Sequence, residues 1–263
     1  MDSVVHGVSM KGRTVLISGA SSGIGRAMAA CFADAGGDLC LVDVDKEGLE
    51  KAVQELRDRF SITVTGHMVD LRNKGEITAF WESLTQVPDT LINNAGIYPM
   101  KAFQEIDDEF LAMTFDVNTK AAFWMCQDFI GRRLGKGGCI INVSSIEAIL
   151  PFKRNMAHYS MSKAAVIALT RALARDYGRH GFRANVILPG AIHTPGTRKL
   201  IQRAICSVDV HLMKTGYDFS SRLALGRWGK PDEVAGVALF LASELASYVH
   251  GAVIPVDGGF LSS

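Results

Sequence analysis

Ser18-Gly-Ala-Ser-Ser-Gly-Ile-Gly25 joins a short apolar run, Thr14-Val-Leu-Ile17, to a helical stretch that reaches about Ala35 and stops at Gly36-Gly37. No other segment constrains the fold as tightly. Gly19, Gly23 and Gly25 allow a sharp turn and a close approach of the backbone to a pyrophosphate. The helix that follows, entered at Ile24, offers free N–H groups and the positive end of its dipole. Ser21 and Ser22 add hydroxyl donors. The spacing is G-x-x-x-G-x-G, and the competing reading is a glycine-rich turn with a structural role only. The position, at the first strand-to-helix junction, favours phosphate binding.

The rest of the chain repeats the strand–helix rhythm. Apolar runs at 39–42, 62–69, 90–93, 139–143, 183–188 and 252–256 read as strands. Helical patterning covers about 46–60, 74–85, 108–134 with a break near Asn118, 157–177 and 232–242. Alternating strands and helices predict βαβ units, hence an α/β chain with a Rossmann-like, doubly wound parallel sheet and helices on both faces. The near-continuous apolar strands agree with burial on both sides. Residues 1–10 are expected to be a tail and 11–263 a single dinucleotide-binding and catalytic domain. The segment 194–227 breaks the rhythm and is expected to form a lid or substrate loop.

Asp43 ends the second strand, 18 residues after Gly25. A carboxylate there accepts hydrogen bonds from both ribose hydroxyls of an adenosine and repels a 2′-phosphate. Val44, not an arginine, follows it. The expectation is therefore NAD over NADP; the alternative role for Asp43 is a helix N-cap.

Lys+Arg number 28 and Asp+Glu 27 in 263 residues, a net charge of +1 that lacks the basic footprint of a nucleic-acid binder. The longest apolar run, residues 234–242, is far short of a membrane span, and the first residues carry no basic and apolar leader pattern. The five cysteines are odd in number and form no CxxC pair, so small buried side chains in a reducing, cytoplasmic setting are expected, and no metal site.

Asn93-Asn-Ala-Gly96 closes the fourth strand, Asn118 lies within a helix, Ser144-Ser145 ends the fifth strand, and Tyr159-Ser-Met-Ser-Lys163 opens a helix. With the 18–25 turn, Pro189-Gly190 and Val256-Asp-Gly-Gly259, this ordered set resembles the short-chain dehydrogenase/reductase family over nearly the whole chain. The chemistry also stands on the residues alone. Tyr159 and Lys163 are four apart and share a helix face. A free tyrosine, with a pKa of about 10, is a poor base at neutral pH. A nearby ammonium and an oxidised nicotinamide are expected to draw it down. Tyr159 then exchanges a proton with an alcohol or carbonyl as hydride moves, and Ser145 hydrogen-bonds the reacting oxygen.

The resemblance further implies that Lys163 holds the nicotinamide ribose and that Asn118 fixes a water linking Lys163 to solvent. It places Asn94, Ala95 and Gly96 beside the cofactor and Asp70 and Leu71 at the adenine. Pro189, Gly190, Ile192 and Thr194 are placed at the carboxamide, and Asn93 ties strands together. It also implies a homo-oligomer, a tetramer, built through the helices at 108–134 and after Tyr159 and through the last strands. The sequence departs from the family pattern by one extra residue between Ser145 and Tyr159. Ser145 is assigned over Ser144, which faces the other side of the sheet if the strand continues.

Substrate choice is expected in 146–158 and 194–227. Glu147 can reach hydroxyls of a sugar or polyol; a solvated loop charge is its ordinary alternative. His158 reads as a helix-entry residue. His193, Arg198, Arg203, His211 and Tyr217 can face an acidic substrate or form a solvated lid. Three functions stay open: NAD-dependent oxidation of a sugar or polyol, reduction of a 3-oxoacyl thioester, and an NAD-binding regulator on the same fold.

Overall fold

The computed structural model describes residues 8–198, 202 and 221–263. Seven parallel strands form one sheet: β1 (Thr14–Ser18), β2 (Asp38–Asp43), β3 (Val64–Met68), β4 (Thr90–Asn93), β5 (Gly138–Val143), β6 (Phe182–Pro189) and β7 (Val253–Val256), in the order β3-β2-β1-β4-β5-β6-β7. The chain runs outward from β1 to β3, then returns to place β4 on the other side of β1. The connections that leave the carboxyl ends of β1 and β4 therefore turn to opposite faces of the sheet, which opens a crevice at that point.

Alternation along the strands builds two apolar layers. Val15, Ile17, Leu39, Leu41 and Ile141 face one side, packing on α1 (Gly23–Asp34), α2 (Lys46–Arg59) and α7 (Pro231–Ala242). Leu16, Cys40, Val42, Leu91 and Ile140 face the other, against α3 (Lys74–Ser83) and α5 (Ala121–Arg133). The edge strand β3 departs from the expected burial: Thr65, Gly66 and Met68 are exposed, and among the described residues no strand lies beyond it. Met10, expected in the tail, is instead fully buried, and its N–H donates to the Ala35 carbonyl (2.9 Å). The ordered body thus starts before residue 11.

The predicted break near Asn118 is a π turn, Asp116–Lys120, between α4 (Asp108–Phe115) and α5. Such a turn inserts one residue into a helix and is a frequent mark of functional sites. The helix predicted at 157–177 is α6 (Ala157–Tyr177). Most of the expected lid, with Arg203, His211, Tyr217 and Cys206, lies outside the described residues. Arg198 ends a helical start at 195–198, and His193 stacks on Trp228 (5.2 Å between ring centres).

A buried polar chain crosses the sheet beneath the crevice. Asn93 Nδ2 donates to Asn142 Oδ1 (2.8 Å), Asn142 Nδ2 to Thr170 Oγ1 (2.9 Å), and Thr170 Oγ1 to the Val166 carbonyl (2.7 Å). This is the strand-tying role expected of Asn93. Replacing Asn142 by alanine removes both side-chain partners and leaves a void between buried polar groups. Asn142→Ala is expected to lower the unfolding free energy by about 2–4 kcal/mol, measured by denaturant titration; a loss under about 0.5 kcal/mol contradicts the accounting.

Candidate active site

The crevice is a cleft of about 1100 Å3 along the carboxyl ends of the strands. All the residues assigned from sequence line it except Gly25 and Asn118, which stand just behind its wall. Gly25 is enforced by close approach: a Cβ there would lie 2.0 Å from the Gly19 carbonyl oxygen. This contact seats α1 directly on the end of β1. Helices α2, α3 and α4 are capped by the side chains of Asp45, Asn73 and Asp107. Ser22, the N-cap of α1, makes no side-chain cap, so the first-turn N–H groups of α1 keep no side-chain acceptor. That is the donor set a pyrophosphate needs.

Asp43 is not a helix cap; Asp45 takes that role. One Asp43 oxygen accepts from the Ser21 N–H (2.9 Å) and the other from the Asp45 N–H (2.9 Å). Each oxygen keeps acceptor capacity toward the cleft. Asp70 pairs with Arg72, whose guanidinium holds the Asp70 carboxyl below its ordinary range. Arg72 lines the same cleft and carries no motif by which sequence reading finds it.

Asn118 is locked by its side chain. Its Oδ1 accepts from the Ile97 N–H (2.8 Å), and its Nδ2 donates to the Ile97 carbonyl (2.9 Å) and Ser162 Oγ (3.0 Å). Both Nδ2 hydrogens are thus spent, and Oδ1 keeps one further acceptor site. Gly96 is the space that Asn118 and Lys163 share: a Cβ there would stand 3.1 Å from Lys163 Nζ and 3.2 Å from Asn118 Oδ1.

The two serines have different surroundings. Ser144 Oγ donates to the Lys163 carbonyl (2.7 Å), a structural bond, whereas the Ser145 side chain lines the cleft beside Tyr159 and acts to lower the phenol pKa. The longer Ser145–Tyr159 interval leaves both residues lining the cleft. The loop turns at 153–155, where Asn155 adopts a left-handed φ of 61°, a conformation asparagine tolerates.

The ionisation of this group differs from the sequence expectation. Burial pushes the Tyr159 phenol up to about 12, with no contribution from Lys163. Lys163 Nζ instead donates to the Val143 carbonyl (2.9 Å), and burial lowers its pKa to about 8. Desolvation disfavours both charged forms, and it outweighs the attraction the four-residue spacing suggested.

Glu147 is not a solvated loop charge. It is buried and accepts from the Phe152 and Lys153 N–H groups (3.2 Å each) and, at 3.5 Å, from Ser160 Oγ. His158 is buried at the start of α6, with Nε2 bonded to the Pro99 carbonyl (2.8 Å). Tyr98, which no motif flags, stands edge-on to Tyr159 (6.4 Å) with its hydroxyl bonded to Thr194. A Cβ at Gly196 would collide with that hydroxyl.

Comparison with known proteins agrees with this geometry. The family described as enoyl-(acyl carrier protein) reductase matches residues 19–261. The chain is 35% identical to a 3-oxoacyl-(acyl-carrier-protein) reductase of Thermotoga maritima over 256 residues, 96% of this chain and 99% of the relative. It is 35% identical to an L-rhamnose 1-dehydrogenase (NAD(P)(+)) of a Sphingomonas species, over 95% of this chain and 96% of the other. Among solved structures it is similar to L-sorbose reductase from Gluconobacter frateurii in complex with NADPH and L-sorbose. That likeness has a TM-score of 0.89 at 30% identity and covers 98% of this chain and 99% of that one.

The burial argument is open to direct titration. Phenolate absorbance of the protein without added cofactor, compared with Tyr159→Phe, should show Tyr159 ionising near 12. A midpoint below the ordinary tyrosine value of about 10 contradicts it.

Proposed function

The chain belongs to the short-chain dehydrogenase/reductase family, and on that footing we propose that it transfers hydride between a nicotinamide cofactor, NAD before NADP, and a secondary alcohol or ketone of a sugar or polyol, with Tyr159 as acid/base. The observation that carries this reading is the meeting of Ser145, Tyr159 and Lys163 in one cleft whose other end is an uncapped helix N-terminus beside Asp43.

The residues present fit a dinucleotide. Gly23, Ile24 and Ser22 would hold its pyrophosphate, Asp43 its adenosine ribose, Asp70 and Leu71 its adenine, and Pro189, Gly190, Ile192 and Thr194 its carboxamide end. When bound, a nicotinamide supplies the hydride acceptor or donor and, oxidised, a positive charge near the phenol. Ser145 Oγ accepts the Glu147 N–H (3.2 Å), which aims its own hydrogen at Tyr159 or at a reacting oxygen. In carbonyl reduction the Tyr159 phenol is already in the donor form. In alcohol oxidation it must first become phenolate, and Lys163, cationic at neutral pH and one helical turn away, favours that form once turned toward it. Lys163 would also hold the nicotinamide ribose, and Asn118 the proton path to solvent.

The NAD preference is supported by the Asp43 carboxylate, by the exposed Val44 beside it, and by the pairing of two guanidiniums near the cleft, Arg72 with Asp70 and Arg26 with Glu55. A homotetramer belongs to the same reading. Phe123 on α5 and Met161 on α6, on the helices the family pairs, are large apolar side chains exposed by 43% and 51%.

Absorbance at 340 nm with a panel of sugars, polyols and a 3-oxoacyl thioester, run with NAD and NADP in parallel, tests the assignment. Turnover of a polyhydroxy substrate with NAD supports it; turnover of the thioester alone replaces the substrate class, and tight NAD binding without any turnover favours a regulator. Tyr159→Phe is expected to cut kcat by about 10²–10⁴-fold and Ser145→Ala by about 10²–10³-fold. A comparable loss from Ser144→Ala instead overturns the serine assignment.

Oxidation should accelerate with rising pH, because its base is the deprotonated phenol, while reduction should slow. Asp43→Ala should raise the KM for NAD about tenfold or more; a parent enzyme that already prefers NADP contradicts the role given to Asp43.

A further inference from the structure

We propose that Lys153 is the subsite for a carboxylate on the substrate, so that the chain acts on sugar acids in preference to neutral sugars and polyols. The inference rests on the sugar-oxidoreductase reading above and narrows its substrate class.

Lys153 lines the same cleft as Ser145 and Tyr159. Its backbone is held in place: its own N–H and that of Phe152 donate to the Glu147 carboxylate, and the Phe152 ring packs on the buried Phe260 (5.0 Å). The ammonium lies 5.4 Å from the centre of the Phe152 ring. Among the described residues, Lys153 Nζ donates to no acceptor and forms no ion pair within 4 Å. Glu147, the carboxylate that acts on it, is occupied by two backbone N–H groups and Ser160.

The charges at this end of the cleft do not balance. Lys153 and Lys163 are cations there, and Glu147 is the anion, among the described residues lining it. Lys163 is spent on the Val143 carbonyl, whereas Lys153 is not spent. Asp43, Asp70 and Arg72 stand at the far end, by the glycine turn and β3. The Lys153 ammonium stands over the Phe152 ring, and the cleft it lines also carries the apolar Met113, Val117 and Met156; an ion-to-ion hydrogen bond gains strength in apolar surroundings.

Glu147 links the two places in the cleft: its N–H donates to Ser145 Oγ and its carboxylate accepts the Lys153 N–H (3.2 Å each), so one residue sets the interval between the Lys153 backbone and the serine beside Tyr159. A polyhydroxy acid spans that interval with its carboxylate on Lys153 and a hydroxyl carbon at Tyr159.

The experiment compares matched pairs that differ in one terminal group: D-gluconate with D-glucitol and D-galactonate with galactitol. Two readouts are taken, kcat/KM at 340 nm and binding by calorimetry in the presence of cofactor, for the parent, Lys153→Gln and Lys153→Arg. The proposal expects the acid to be preferred in each pair. It also expects that preference to fall about 10- to 100-fold in Lys153→Gln and to be largely kept in Lys153→Arg.

Preference for the neutral partner, or an acid preference that Lys153→Gln leaves in place, overturns the proposal. The two readings fail separately. Lys153-dependent binding of the acids without NADH formation upholds the subsite and removes the sugar-oxidoreductase reading. Turnover of the polyols with equal or weaker use of the acids does the reverse.

Discussion

A small latch between the ends of β1 and β4 sets the geometry on which the site depends. Asn94 Nδ2 donates to the carbonyls of Ser18 (3.0 Å) and Gly19 (3.1 Å). In return, Ser18 Oγ accepts the N–H groups of Asn94 and Ala95 (3.1 Å each). Two neighbouring parallel strands whose connections turn to opposite faces would otherwise keep unpaired backbone groups at their carboxyl ends. The latch satisfies those groups and brings the glycine turn, Asn94–Gly96 and the end of β5 to one rim. Each site residue on that rim inherits its position from a strand end, and strands buried on both faces are the most rigid part of such a fold.

Burial then decides the chemistry of the rim. Tyr159 and Lys163 are both shifted toward their neutral forms, the phenol upward and the ammonium downward. A cluster of this kind resists charge separation until a further charge arrives beside it. The resting site therefore keeps its proton on Tyr159, and the activated form depends on the cofactor being seated. The Ser145 hydroxyl, anchored by the Glu147 N–H, provides fixed polarity where little else is charged.

The fold was legible because its determinants are local. The apolar runs alternate between two buried layers, the glycine turn follows the first strand, and even the interruption at Asn118 showed as a break in helical patterning. The gathering of the proposed catalytic residues was legible because Asn118, Ser145, Tyr159 and Lys163 stand at fixed places in the chain order, and the fold brings them to one cleft and its wall. What sequence could not show depends on contacts between distant segments. Met10 reads as tail until α1 covers it. Glu147 reads as a surface charge until residues 152 and 153 fold back onto it. The upward shift of Tyr159 without cofactor was not legible because spacing to Lys163 is local, whereas burial comes from tertiary packing, and the lowered pKa expected from sequence added an oxidised nicotinamide to Lys163. Tyr98, Arg72 and Trp228 belong to no motif and reach the cleft only through tertiary packing.

These two classes of residue divide the cleft along its length. The cofactor end is made by residues at strand ends and in the first turn of α1, where a one-residue change alters backbone geometry; at Gly25 even a methyl group collides with the Gly19 carbonyl. The end proposed for the substrate is made by loops at 146–158 and 194–198 and by Tyr98, held largely by side chains such as Glu147, which accepts two loop N–H groups, and Tyr98, edge-on to Tyr159. The Ser145–Tyr159 interval, one residue longer than the family pattern expected from sequence, falls in this second region, which turns at Asn155, while Ser145 and Tyr159 line the same cleft. A loop that can lengthen while Ser145 and Tyr159 stay in one cleft can change its substrate while its reaction stays the same. That separation follows from where backbone, and where side chains alone, carry the architecture.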